Sequence, residues 1–183
     1  ANKWRIFKNF SNLEEIDISY LNTINTQTMA EWFSGCSKLK NIAGIENINT
    51  ENVEDMRGMF AQCQSLEQLD LKRFDTSKVK DMSSMFVNCQ GIKKLDLSSF
   101  SMSNVSNMSF MFRNCNSLEE IDLTNASFGP EVNANGMFSG VKDGVTIYVK
   151  DVQSAQFIQE RLEDSNVNGV IYYKAQDEFI EYN

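Results

Sequence analysis

Phe74-Asp75-Thr76-Ser77-Lys78-Val79-Lys80-Asp81-Met82-Ser83-Ser84-Met85-Phe86-Val87-Asn88-Cys89 holds two signals in one stretch. Val79, Met82, Met85, Phe86 and Cys89 fall three or four residues apart, the spacing of an apolar stripe on a short helix. Ahead of them, Asp75 or Ser77 can accept from the free N–H groups that open a helix. Just upstream, Leu69-Asp70-Leu71 places its leucines two apart, which predicts a short strand with Asp70 on the opposite face.

Working outward, the phrase returns. Met85-Phe86 has counterparts at Met59-Phe60, Met111-Phe112 and Met137-Phe138, a period of 26, with Trp32-Phe33 at a spacing of 27. Cys36, Cys63, Cys89 and Cys115 each follow the aromatic by three residues. The aliphatics Leu66, Leu69 and Leu71, then Ile92, Leu95 and Leu97, then Leu118, Ile121 and Leu123 keep the same beat. Leu39, Ile42 and Ile45 do so with one inserted residue. At the start, Ile6-Phe7 takes the Met-Phe place and Phe10 the cysteine place. A strand-turn-helix unit of this length cannot bury its own stripe, whereas stacked units bury all stripes as one core.

The expected fold is therefore α/β, a right-handed solenoid with short parallel strands on one face and short helices on the other. It spans residues 1–143 as a partial repeat 1–12 and repeats 13–38, 39–65, 66–91, 92–117 and 118–143. From Gly140 the pattern changes: Val141 replaces the cysteine, Val145–Val149 reads as a strand, and residues 152–163 place Val152, Ala155, Phe157, Ile158 and Leu162 at helical spacing. Gly169–Tyr173 is a last strand. Residues 144–183 are expected to cap the open core, since the stretch 142–183 carries eight acids against four bases, the polar exterior a cap needs.

Composition narrows the function. The 183 residues are 42% hydrophobic and 23% charged, which is a folded chain, with a formal charge of −8 that opposes nucleic acid and anionic lipid. No apolar run approaches the ~20 residues of a membrane span. There is no histidine, which removes the usual general base at neutral pH and the commonest zinc ligand. One proline, Pro130, and nine glycines leave no phosphate-cradling loop. The chain opens at Ala1 in mid-repeat without a basic-then-apolar leader, so any signal peptide is expected to lie outside this sequence. No enzyme, cofactor or metal is expected.

The phrase Phe74-Asp75-Thr76-Ser77-x-Val79, with Ser83-Ser84-Met85-Phe86-x-x-Cys89 and Leu95-Asp96-Leu97-Ser98-x-Phe100, resembles the BspA-type leucine-rich repeat of bacterial surface proteins. The likeness covers roughly residues 3–150. It departs at Trp32 and Thr26, at the insertion after Ile42, and at Asn125-Ala126-Ser127-Phe128-Gly129-Pro130. It implies a cell-surface location, adhesion to a host or microbial partner for some members, and no enzymatic activity.

Three constellations remain. The cysteines, a whole coil apart with parallel Cβ vectors, suit neither zinc nor a disulfide and are expected to be buried free thiols. Asp17, Asp70, Asp96 and Asp122 form an outer column, expected either to repel one another and raise their pKa values or to share calcium, or simply to keep the sheet soluble. Among the variable strand-face residues the candidate partner-binding set is Tyr20, Asp70, Arg73, Lys94, Asp96, Asp122 and Tyr148. Two functions follow: a surface module that holds a protein or glycan partner, or a spacer with no ligand of its own.

Overall fold

The computed structural model describes residues 5–183. Its strands are β1 (Glu15–Asp17), β2 (Asn41–Ala43), β3 (Lys94–Asp96), β4 (Glu120–Leu123), β5 (Val145–Val149), β6 (Gly169–Ala175) and β7 (Glu178–Glu181). One α-helix, α1 (Val152–Asp164), and one 3-10 turn, Ile45–Asn47, complete the regular elements. β1 and β2 pair in parallel. The second sheet runs β3-β4-β5-β6-β7, parallel except for β7, which returns antiparallel to β6. The register joins equivalent places in successive units: Lys94 to Glu120 to Thr146, and Asp96 to Asp122 to Tyr148. The chain is thus mixed α/β with few helices and parallel strands.

The helices expected in each unit are absent among the described residues, because the Met-x-x-Met-Phe segments run as successive turns instead. Two places per unit carry positive φ: Glu31, Gly58, Ser84, Phe110 and Gly136 at one, and Asn9, Gly35, Gln62, Asn88, Asn114 and Gly140 at the other. A left-handed residue ends α-helical propagation, and the N–H groups freed by it turn to the next unit. Met56, Gly58, Phe60 and Gln62 donate to the carbonyls of Asp81, Ser83, Met85 and Val87 at 2.7–2.9 Å, and equivalent bonds run from Met82 through Asn88 to Asn107 through Arg113. The interleaved amides close three-residue turns, as Met85 N–H does on the Met82 carbonyl. Every second amide therefore stitches one unit to the next, a better use of the backbone than an isolated helix of two turns.

The strand expected at Leu69-Asp70-Leu71 does not form either. β2 is followed by Gly44, in the left-handed region at φ 85°, where a Cβ would come within 2.6 Å of Ser19 N. The inserted residue falls at this turn and the 3-10 turn that follows it. Among the described residues no backbone hydrogen bond joins 67–70 to β2 or β3. Leu71 stays buried and Leu69 is partly so.

The core forms the expected columns. The rings of Phe7, Phe33, Phe60, Phe86, Phe112 and Phe138 stack at 5.3–5.8 Å within 15° of parallel. Leu39, Leu66, Ile92 and Leu118 are fully buried, while Leu13 at the first unit is only partly so, and Phe10, whose N–H closes its turn on the Phe7 carbonyl, is 53% exposed rather than buried. A polar column accompanies them. Thr50 Oγ1 donates to the Asp75 carbonyl and accepts from Asp75 N–H, and Thr76 does the same with Ser101, so each buried hydroxyl satisfies two groups of the next unit.

At the far end α1 begins at Asp151, whose carboxylate accepts from Ser154 N–H at 2.8 Å. Ala155, Ile158 and Leu162 face inward as their spacing predicts. Val152 is 44% exposed, and Phe157 packs on Phe128 at 4.3 Å.

Candidate strand-face interaction site

Variable polar residues meet on the outer strand face. Its aspartates do structural work first. Asp96 Oδ1 accepts from Ser98 N–H at 3.0 Å and from the Ser98 hydroxyl at 2.5 Å, and Asp122 repeats this with Thr124 at 2.9 and 2.7 Å. Asp17 accepts both groups of Ser19, and Asp70 accepts Lys72 N–H at 3.2 Å. Each carboxylate thus holds the turn that follows it, which explains the recurring acid, absent only where Ala43 stands, better than solubility alone. Asp17, whose neighbour in register is Ala43, is held below the usual carboxylate range, first by the Ser19 hydroxyl and then by its amide. Among the described residues no group of three or more His, Cys, Asp or Glu side chains converges as a metal site.

The gap left by the missing strand opens a groove of about 670 Å³, lined by Glu67, Gln68, Leu69, Asp70, Lys72, Gly91, Lys93, Lys94, Asp96 and Glu119. Asp70, Lys94 and Asp96 of the candidate set therefore meet in one depression. Lys94 pairs with Glu120 at 3.2 Å and Lys72 with Asp96 at 3.9 Å, both exposed contacts of small energetic value. The groove floor carries the unbonded backbone of 67–70 and the partly buried Leu69.

Asp122 lies one strand further along the same row, and Tyr148 one beyond it. There the face turns aromatic. Tyr148 stacks on Tyr172 at 5.5 Å and meets Phe179 edge-on at 5.2 Å. Tyr172 and Phe179 escaped the sequence reading, although the alternation of 169–173 already put Tyr172 on the outer face. Two candidates stand apart. Tyr20, 92% exposed, follows β1 at the other end. Arg73 donates to Asn47 Oδ1 at 3.2 Å beside a separate cleft of about 200 Å³ formed with Glu46, Asn49, Thr50 and Asp75.

The cysteines are all free and buried, and they are more than small hydrophobes. Cys63, Cys89 and Cys115 Sγ donate to the carbonyls of Phe33, Phe60 and Phe86 in the preceding unit at 3.1–3.2 Å, and Cys36 to that of Phe7. Burial pushes the Cys115 thiol up to about 12 and the others upward as well, which disfavours their ionisation.

Comparison with known proteins adds a family. The model described as "Mycoplasma protein of unknown function, DUF285" matches residues 38–147, and that described as "BspA type Leucine rich repeat region (6 copies)" matches residues 3–56. No curated protein and no solved structure matches the chain.

Proposed function

The chain belongs to the family described as "Mycoplasma protein of unknown function, DUF285", which covers residues 38–147, and from that premise we propose that it is a non-enzymatic interaction module of a bacterial cell surface. The units wind as a right-handed solenoid of about five coils over residues 1–143, of which 1–4 lie outside the described residues, closed by residues 144–183. A macromolecular partner, protein or glycan, is held on the strand face by Asp70, Lys94, Asp96, Asp122 and Tyr148, with Tyr20 and Arg73 at its margins.

One observation carries this reading: the 670 Å³ groove breaks an otherwise regular sheet face at the point where Asp70, Lys94 and Asp96 converge over unpaired backbone. Regular repeats bury what they share and leave contact to what differs, and the groove lies where the strand ladder of this chain is interrupted. No helix among the described residues is long and apolar enough to cross a membrane. The BspA-type match is in keeping with a surface location.

A spacer is the second reading, favoured by how many strand-face charges already pair with one another, as Lys94 does with Glu120 and Lys40 with Glu14. Immobilised matrix proteins and glycans decide between them. Saturable binding of the chain that weakens when Asp70, Lys94 and Asp96 are replaced together by Ala supports the module. Absence of saturable binding across the panel leaves the spacer.

A further inference from the structure

The row that runs Asp96, Asp122, Tyr148, Tyr172, Glu181 across β3 to β7 changes character halfway. Its last third is a cluster of rings with open surface: Phe179 keeps 47% of its area exposed while touching Tyr148, which leans on Tyr172. Nothing in the fold requires it. The inward faces of β5 and β6 carry Val145, Ile147, Val149 and Ile171 to the core, so these rings are surplus to core packing. Clustered Tyr and Phe with a polar rim are the residues that anchor protein interfaces. Asp122 and Glu181 flank the rings in the same row, and neither has a salt-bridge partner among the described residues. Lys174, paired in register with Phe179, is the cation nearest the rings on β6 and β7, in a stretch, 142–183, that carries eight acids against four bases.

Resting on the reading of the strand face as a binding surface, we infer that its β4 to β7 end takes an arginine-bearing polypeptide segment of another protein. A guanidinium is the cation that suits both features at once: it stacks on aromatic rings and pairs bidentately with a carboxylate. Apolar residues of the same segment cover Phe179.

The test uses the whole chain and a fluorescein-labelled peptide of alternating arginine and leucine, followed by anisotropy, with a glutamate-leucine peptide as control. The arginine peptide binds saturably and the glutamate peptide does not. Tyr148→Ala combined with Tyr172→Ala weakens binding by about tenfold. Asp122→Asn combined with Glu181→Gln does so too, and the amide oxygen it leaves at position 122 can still accept from Thr124. Glu160→Gln with Glu163→Gln, the same change of charge on exposed α1 positions, leaves affinity as it was. Phe179→Ala serves as the variant least able to disturb folding, checked by an unchanged melting curve. The inference is overturned if the α1 pair loses as much affinity as the strand-face pair, if the aromatic variants bind normally, or if the arginine peptide fails to saturate. A neutral glycan that needs the tyrosines but neither carboxylate overturns it too. Failure of the peptide alongside a panel partner bound through the groove removes this inference and keeps the module. Failure of both removes both.

Discussion

At the scale of single residues, the cysteines show how a side chain can satisfy two demands in one place. Cys89 is fully buried, and its thiol also donates to the Phe60 carbonyl at 3.1 Å. If it were only a small hydrophobe, alanine would replace it better than serine. The hydrogen bond reverses that order: Cys89→Ala leaves a buried carbonyl without a donor, whereas serine keeps one. Cys89→Ser is expected to be more stable than Cys89→Ala by about 1 kcal/mol in denaturant melts, and the opposite order would reduce the thiol to a space filler. Asp55 gives a second residue-scale case. It sits in the bridged column Thr28, Asp55, Asp81, Asn107, Asn133, where asparagine serves at two places. Its carboxyl is pushed up, chiefly by burial, against the opposing Arg57 amide and charge. A carboxyl raised in the fold supports stability fully below its unfolded pKa and loses that support as pH rises through the folded value. At pH 7 the ionised group is therefore a burden. Asp55→Asn keeps an acceptor for Arg57 N–H and is expected to raise the melting temperature by about 1–3 °C at pH 7, with the gain vanishing below about pH 4. A gain that persists at pH 3 would contradict the assignment.

At the scale of elements, the apolar stripe Val79, Met82, Met85, Phe86, Cys89 was a true signal for the core and a false one for the helix. Spacing says which side chains face inward, and a chain of alternating turns with the same average pitch meets it as well as a helix does. What decided between them was bonding to the next unit, which no single stretch of sequence displays. A trace of it was legible: Asn9, Gly35, Asn88, Asn114 and Gly140 share one column, and asparagine and glycine are the residues that tolerate positive φ. Ser84, at the companion column with φ 57°, turns this into a prediction whose sign separates the two structures. In a helix, Ser84→Gly would destabilise by several tenths of a kcal/mol. In the left-handed turn it is expected to stabilise by about 1 kcal/mol, read from the midpoint of chemical unfolding. The aromatic end of the face was only half legible for a similar reason: Tyr148 lay in a recognisable strand, but Phe179 sits on β7, a short exposed hairpin strand whose Glu178 and Glu181 hide its period. The groove was not legible at all, because it arises where the strand that the leucines of 69 and 71 promised does not form.

At the scale of the whole molecule, the proposed solenoid makes stability a chain of nearest-neighbour terms, each unit bonded to the next. The Phe stack and the turn ladder run unbroken through the third unit, whereas the strand ladder stops there. The two sides of one unit therefore differ in local stability, and the difference is measurable by native-state hydrogen exchange. Amides of Gln68, Leu69 and Asp70 are expected to exchange fast, and those of Phe60 and Phe86, bonded at 2.9 Å to the Met85 and Met111 carbonyls, only on larger opening. Slow exchange across 68–70 would mean that the sheet is continuous and that the groove is not a site. Phe86→Ala tests the other side of the same argument. The ring is fully buried, 5.7 Å from Phe60 and 5.8 Å from Phe112, and its loss is expected to cost about 3–5 kcal/mol through lost transfer energy and a cavity. In a nearest-neighbour array the amides of the second to fifth units would then gain exchange while those of β5 and β6 kept their protection. A loss of protection spread evenly to β6 would show that the chain unfolds as one cooperative body, and a cost below about 1 kcal/mol would show that the Phe column carries less of the core than its geometry indicates.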